Sequence, residues 1–183
     1  MKTKKHSLAQ SRRSDLVNAI CHRGKKLSNI WMVYSAIRDQ EVVLVGDLRV
    51  EHFYACEGDP TIRTVEYRPE PVLIGSPPQT VQFDAVVRFA DGHSECHDVT
   101  YFPLSAKDDA VARMTLGQRV AAAATIAASY REITTDELDA YHMRIQNWGR
   151  ALQFVAQCRR RPLEFIEFSV VARVRSHGEA SLG

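Results

Sequence analysis

The chain contains 183 residues, of which 45% are hydrophobic and 25% are charged, and its formal net charge is +2. A chain of this length can bury one substantial core, and the composition is that of an ordinary globular domain, which argues against a disordered or fibrous protein. The near-neutral total does not by itself require a nucleic-acid partner, and no apolar run approaches the roughly 18 residues needed to span a membrane.

The four cysteines are scattered along the chain without a closely spaced pair, and the first residues do not resemble a secretory signal. Disulfide frameworks belong to oxidising compartments and use paired cysteines. The pattern therefore predicts a reduced, cytoplasmic protein that does not associate with a membrane.

Basic residues concentrate in two places. The N-terminal segment contains eight of them, and a second run, Arg159, Arg160 and Arg161, ends a predicted helix. Such clusters bind phosphate backbones by releasing counterions. A solvated tail and a helix C-terminus that favours cations explain them equally well. We expect residues 1–30 to form a basic arm, and Lys25 and Lys26 within it to contact DNA.

In chain order, a short helix is predicted over 14–20, a strand over 41–45 and a helix over 47–57 that ends before Pro60. Strands are predicted over 61–67 and 71–74. A hairpin then joins a strand over 80–90 to one over 93–101 through the Asp91-Gly92 turn.

The second half begins with an alanine-rich helix predicted over 108–131, followed by a brief strand at Ile133. Thr135 is expected to cap the next helix, and a further helix is predicted over 146–160. Residues 163–174 are compatible with a helix or a strand. This order of elements indicates a layered α/β or α+β domain.

Two acids in the hairpin are the main candidates for chemistry. Asp84 lies early in the first strand and Asp98 late in the second, so in a regular hairpin they can approach each other. Neighbouring carboxylates repel unless a cation lies between them, and Mg²⁺ prefers oxygen ligands. A metal there would polarise a phosphate and activate a water. Solvated surface acids give the same pattern.

A second candidate set alternates on the other face of the same strand. His93, Glu95 and His97 have the spacing at which imidazole and carboxylate ligands could converge on one zinc ion. Ordinary surface polarity explains this alternation as well.

Several short motifs occur together in a fixed order. Residues 55–69 are similar to an "LE-x-DP-x-V" stretch followed by "QP", with Arg68 in place of the glutamine. Phe83-Asp84-Ala85 occupies the place of a Pro-Asp-Phe motif in the same pattern, and residues 97–100 occupy the place of an acid-Val-Lys motif. Residues 132–138 and 144–148 match a later strand and a helix start. Over residues 31–160 the chain resembles the N-terminal catalytic domain of the TnsA family, the nuclease subunit of Tn7-type transposases.

That resemblance implies a restriction-endonuclease-like core of the PD-(D/E)XK type, in which a mixed central sheet is flanked by helices. It implies Asp84 and Asp98 as metal ligands, Glu51 as a third catalytic acid and Mg²⁺ as cofactor. It also implies DNA as partner, with a transposase or ATPase subunit of the same element as a further partner. Residues 161–183 would form a C-terminal extension.

The chain departs from the family pattern at two positions. Thr100 stands where the family has a lysine, and Arg49 falls where the helix glutamate is expected unless a two-residue shift restores Glu51. An arginine beside two acids pairs with them and competes with a metal. Arg88, Lys107 or Arg49 could replace the lysine. Together the departures favour an impaired site, in which case no cofactor is needed.

Three hypotheses follow. The first is a TnsA-like, catalytically degenerate protein that binds DNA through its basic residues, Lys25, Lys26, Arg68, Arg88, Arg159, Arg160 and Arg161. The second is an active Mg²⁺-dependent endonuclease that uses Glu51, Asp84 and Asp98. The third is a protein-interaction or regulatory module whose basic ends only aid solubility.

Overall fold

Eight β-strands and four α-helices make up the part of the chain that the structure, a computed structural model, describes, namely residues 28–107 and 110–158. The strands are β1 (Ile30–Ser35), β2 (Gln40–Val45), β3 (Ile62–Tyr67), β4 (Val72–Ile74), β5 (Gln79–Val81), β6 (Ala85–Phe89), β7 (Ser94–Thr100) and β8 (Ser129–Thr134). The α-helices are α1 (Asp47–Glu57), α2 (Ala110–Ala123), α3 (Thr135–Ala140) and α4 (His142–Cys158), and a 3₁₀ turn covers Leu104–Ala106.

The central sheet has the strand order β3-β6-β7-β8. Its first three strands are antiparallel, whereas β8 runs parallel to β7, with Asp98 opposite Glu132. Parallel neighbours need a long crossover connection, and α2 lies in the segment that supplies it. Two small hairpins, β1-β2 and β4-β5, complete the strands.

Helices cover both faces of this sheet. Because side chains alternate along each strand, neighbouring residues of β6 pack against different helices. Ala85 and Val87 of β6 are fully buried in one cluster with Phe53 of α1. Val86, between them, packs in a second cluster with Ala122 and Ala123 of α2. The predicted α/β class, a mixed central sheet flanked by helices, is confirmed at this level.

Several predicted elements are confirmed. The helix over 47–57 coincides with α1, and the strands predicted over 41–45, 61–67 and 71–74 correspond to β2, β3 and β4. The Asp91-Gly92 turn also joins β6 to β7, with Gly92 at φ +90°. The elements predicted over 14–20 and 163–174 lie outside the described residues, as does most of the N-terminal arm.

The alanine-rich helix is shorter than predicted. It ends at Ala123, and β8 begins at Ser129 where the prediction extended the helix to residue 131. Ala128 N–H donates to Ser94 O at 3.0 Å, which turns the chain onto β7. Strand pairing therefore overrides the helix propensity of the alanine run.

Other boundaries differ for local reasons. β1 was not predicted, and α4 begins four residues earlier than the predicted 146. The helix cap is Thr134, whose side chain accepts from Glu137 N–H, and not Thr135. The predicted strand over 80–90 is broken between β5 and β6, where the Gln82 side chain donates to Pro69 O and Phe83 O. Within the described residues no helix has the length and apolarity to cross a bilayer.

The end of α1 is a close contact with α4. Gly58 follows α1, and a Cβ atom at Gly58 would lie only 2.0 Å from Cδ1 of Trp148. We expect Gly58→Ala to lower the free energy of unfolding by about 1–3 kcal/mol, the usual cost of overpacking, because the indole must move. Denaturant unfolding followed by tryptophan fluorescence measures the loss of stability and reports the change around the indole.

Gly117 provides the matched control, because nothing lies within 4 Å of a Cβ built there in α2. Gly117→Ala is expected to raise the free energy of unfolding by about 0.5–1 kcal/mol, since alanine is the better helix former. Equal effects of the two substitutions would contradict the proposed steric cause.

Candidate functional site

Asp84 lies in the bend before β6, and both of its carboxylate oxygens accept hydrogen bonds. Its Oδ1 accepts from Arg49 Nε at 2.6 Å, and its Oδ2 accepts from Val99 N–H at 2.8 Å. Arg49 is the α1 residue that occupies the expected glutamate position. The arginine therefore pairs with the acid that the resemblance assigns to the metal.

Asp98 is buried in β7 and has its own arginine. Arg119 of α2 donates through Nε to Oδ2 and through Nη2 to Oδ1 at 2.8 Å, and Tyr130 OH donates to Oδ2 at 2.7 Å. The guanidinium carbon of Arg119 also lies 5.6 Å from the centre of the Phe83 ring. A charge-assisted, two-pronged pair of this kind fixes the carboxylate in place.

The environment of this pair shifts two pKa values. Burial acts to lower the pKa of Arg119, but its hydrogen bond and charge attraction to Asp98 raise it overall. Burial, followed by the hydrogen bond to Asp98, raises the pKa of the Tyr130 phenol. Both groups therefore stay protonated and keep donating to the carboxylate at neutral pH.

The three predicted catalytic acids do not converge. Asp84 is paired with α1, whereas Asp98 is paired with α2 and β8. Glu51 lines a separate cavity with Asp47 and Asp139, and burial and those two charges raise its pKa. Among the described residues these three acids do not form a group whose ligand atoms lie within 4.8 Å of one another.

Basic candidates from the sequence lie elsewhere. Thr100, at the expected lysine position, uses its hydroxyl to accept from Phe102 N–H at 3.1 Å. Arg88 and Lys107 are exposed, and so is Arg68, which has a φ of +52° and donates its N–H to Asp84 O. The remaining predicted DNA contacts, Lys25, Lys26, Arg159, Arg160 and Arg161, lie outside the described residues.

A second cluster lies on the α1 face of the sheet. His52 and Cys56 are one turn apart on α1, and His97 projects from β7. His52 Nε2 lies 3.0 Å from His97 Nδ1 and 3.3 Å from Cys56 Sγ. All three residues are buried, and they line a cavity of about 160 Å³.

Burial dominates the protonation of this cluster. It lowers the pKa of His52 to about 3 and, despite the opposing effect of Glu95, also lowers that of His97. Burial raises the pKa of the Cys56 thiol. Both imidazoles are therefore neutral at physiological pH, which is the form that binds metals.

Glu95 contacts His93 and His97 directly, and not through the shared zinc ion that their alternation suggested. Its two oxygens accept from His93 Nε2 at 3.2 Å and from His97 Nε2 at 2.9 Å. Burial acts to raise the pKa of Glu95, but these histidine contacts lower it overall. Because Glu95 holds Nε2 of His97, the other ring nitrogen faces His52 and Cys56.

The His52, Cys56 and His97 group could bind a metal ion. Its nitrogen and sulfur donors suit zinc and similar transition metals, and Mg²⁺ prefers oxygen ligands. The sequence contained a usable signal, because a histidine and a cysteine four residues apart share one face of a predicted helix. Arg119 and Tyr130 had no such signal, since both lie within the segment that was predicted as one long helix.

No family model matches the chain, and no curated protein is significantly similar to it. The resemblance to the TnsA family therefore depends on the short motifs and stays a prediction.

The two arginine pairs differ in burial, which leads to a testable difference in stability. The Arg119 and Asp98 side chains are 26% and 10% exposed, and those of Arg49 and Asp84 are 44% and 20% exposed. We expect Arg119→Met to lower the free energy of unfolding by about 1–3 kcal/mol, because it leaves a largely buried carboxylate short of donors. Chemical denaturation at neutral pH measures this loss.

Arg49→Met is the matched control, and it should cost less than about 1 kcal/mol because exposed ion pairs are weak. A larger loss for Arg49→Met than for Arg119→Met would show that burial does not set the contribution of these pairs.

Proposed function

We propose that this chain is a TnsA-like protein with a restriction-endonuclease-like fold that binds DNA in or alongside transposition and does not cleave it at Asp84 and Asp98. The motifs over residues 31–160 support the family. The mixed sheet flanked by helices is the architecture that this family implies.

The observation that carries the proposal is the occupation of both carboxylates. Arg49 and Val99 N–H bind the two oxygens of Asp84, and Arg119 and Tyr130 bind those of Asp98. A Mg²⁺ ion bound as the resemblance implies would take oxygens from both acids. To provide them, Arg119 would lose its partner at a partly buried position, which is costly, and Arg49 would lose its partner as well.

The donor set therefore does not fit Mg²⁺. An arginine at the glutamate position and a threonine at the lysine position also remove the groups that would complete a metal site and stabilise developing charge. The acids instead have a structural role. Asp84 connects α1 to the β6-β7 hairpin, and Asp98 connects α2 to it.

DNA binding is proposed for exposed basic side chains. Arg68 follows β3 and Arg88 lies near the end of β6, and both are exposed. Guanidinium groups in such positions contact phosphates and release counterions. Lys25, Lys26, Arg159, Arg160 and Arg161 are proposed as further phosphate contacts.

A protein partner, such as a transposase or ATPase subunit of the same element, has a separate supporting observation. Between residues 101 and 114 four large apolar side chains are more than half exposed, namely Tyr101, Phe102, Val111 and Met114. Exposed apolar side chains in one segment are the kind of surface that a partner covers.

Plasmid cleavage tests the proposed loss of activity. Purified protein incubated with supercoiled plasmid and Mg²⁺ or Mn²⁺ is expected to leave the plasmid intact, because neither carboxylate is free for a metal. Asp84→Ala should behave identically in gel electrophoresis. Nicking by the wild-type protein that Asp84→Ala abolishes would refute the proposal and favour an active endonuclease.

DNA binding is tested by fluorescence anisotropy with a duplex at increasing salt. The affinity should fall linearly with the logarithm of salt concentration, and Arg68→Ala or Arg88→Ala should each reduce that slope by about one. Arg38→Ala, in the β1-β2 turn, is the control and should leave the slope unchanged. A complete lack of binding at low salt would favour the protein-interaction hypothesis.

A further inference from the structure

We infer that His52, Cys56 and His97 form a site for one zinc-class transition-metal ion, with its fourth position open to the cavity between the sheet and the helices α1, α3 and α4. The site would join α1 to the central strand β7. It does not depend on the proposed DNA-related function, and it is separate from the acids Asp84 and Asp98.

All three ligand atoms lie within 4.8 Å of one another, and two of their separations are already near the values that a metal requires. Tetrahedral zinc, with bonds of about 2.0–2.1 Å to nitrogen and 2.3 Å to sulfur, places two nitrogens about 3.3 Å apart and nitrogen and sulfur about 3.6 Å apart. The corresponding distances here are 3.0 Å between the imidazoles and 3.3 Å from His52 to Cys56. Each of these two separations would have to open by only about 0.3 Å.

The rigidity of the backbone favours this convergence. His52 and Cys56 are held four residues apart on α1, and Phe53 between them is fully buried. His97 lies in β7, which pairs with a strand on each side. Ligands on packed elements of this kind keep their positions better than ligands on loops.

Glu95 orients the third ligand. It holds Nε2–H of His97 at 2.9 Å and so leaves the Nδ1 lone pair directed at His52 and Cys56. Metal-binding histidines usually donate their second ring N–H to a carboxylate or a carbonyl in this way, which fixes the tautomer and makes the ligand more basic.

The charges also balance. A divalent ion bound by one thiolate and two neutral imidazoles has a net charge of +1, and the Glu95 carboxylate next to His97 cancels it. Arg131 lies near Glu95 and is paired with Glu137. A buried ion therefore does not leave an uncompensated charge, which would be costly.

Metal binding releases one proton. The metal replaces the proton of the Cys56 thiol, which leaves to solvent, and the S–metal bond forms in place of the S–H bond. His97 binds through Nδ1 in the tautomer that Glu95 already fixes, and His52 binds as a neutral imidazole after its proton moves from Nε2, where it faces His97, to Nδ1. The cavity of about 160 Å³ has room for a water as the fourth ligand, and Asp59, Tyr141 and Arg144 line it as well.

The first measurement is metal binding by the full chain. Protein stripped with a chelator and dialysed is titrated with Zn²⁺ against a chromophoric competitor, and with Co²⁺ while the thiolate-to-metal absorption is recorded. We expect one ion per chain, a thiolate band with Co²⁺, and a thermal unfolding midpoint that rises with Zn²⁺ and not with Mg²⁺.

Variants assign the band to Cys56. Cys56→Ser should abolish the thiolate band and weaken binding by more than the roughly 10–100-fold expected for Glu95→Gln, which only removes the partner of His97. Cys96→Ser is the matched control, because Cys96 is buried on the opposite face of the same strand. It should bind Co²⁺ with an unchanged spectrum.

A triple variant, Cys21→Ser with Cys96→Ser and Cys158→Ser, leaves Cys56 as the single thiol and should retain the band even if Cys56→Ser does not fold. Failure of the wild-type protein to take up Zn²⁺ or Co²⁺ would overturn the inference. A thiolate band that persists in Cys56→Ser, or that is lost in the triple variant while its circular dichroism matches wild type, would overturn it too.

Discussion

The packing of α1 across the central sheet is the constraint on which the other contacts depend. Phe53 is fully buried against Ala85 and Val87, which fixes the position and rotation of the helix. Helical periodicity then directs neighbouring side chains to set places. Arg49 reaches Asp84, and one to two turns later His52 and Cys56 reach His97. A shift of α1 would break both sets of contacts together.

Strand β7 shows why the sheet holds two kinds of chemistry. It is central, and four consecutive residues are buried, two of which, His97 and Asp98, are polar. Buried polar groups need partners, and adjacent residues of a strand find them on opposite faces. Asp98 therefore meets an arginine and a phenol beside α2, whereas His97 meets a histidine and a thiol beside α1. On the face beside α2, arginine occupies the carboxylate. On the face beside α1, nitrogen and sulfur atoms are available as ligands for a zinc-class metal.

Much of the local structure follows from the sequence. The end of α1 was predicted because Pro60 disfavours a helical conformation in the residue before it, which is a local backbone effect. The β6-β7 hairpin was predicted because Asp91-Gly92 supplies a tight turn. The error at β8 has the opposite cause. Residues 121–128 have a high helix propensity, but the residues after them form a parallel strand whose stability comes from pairing with β7, and no local pattern reports that pairing.

The sequence by itself therefore determined the types of most elements, the hairpin with its two acids, and the departures at Arg49 and Thr100. Only the tertiary structure decided which groups meet. Arg119 is 21 residues from Asp98 in the chain, and His52 is 45 residues from His97. Such pairs depend on how helices pack on a sheet, which is set by the burial of apolar surface across the whole domain. A residue's neighbours along the chain do not encode that arrangement.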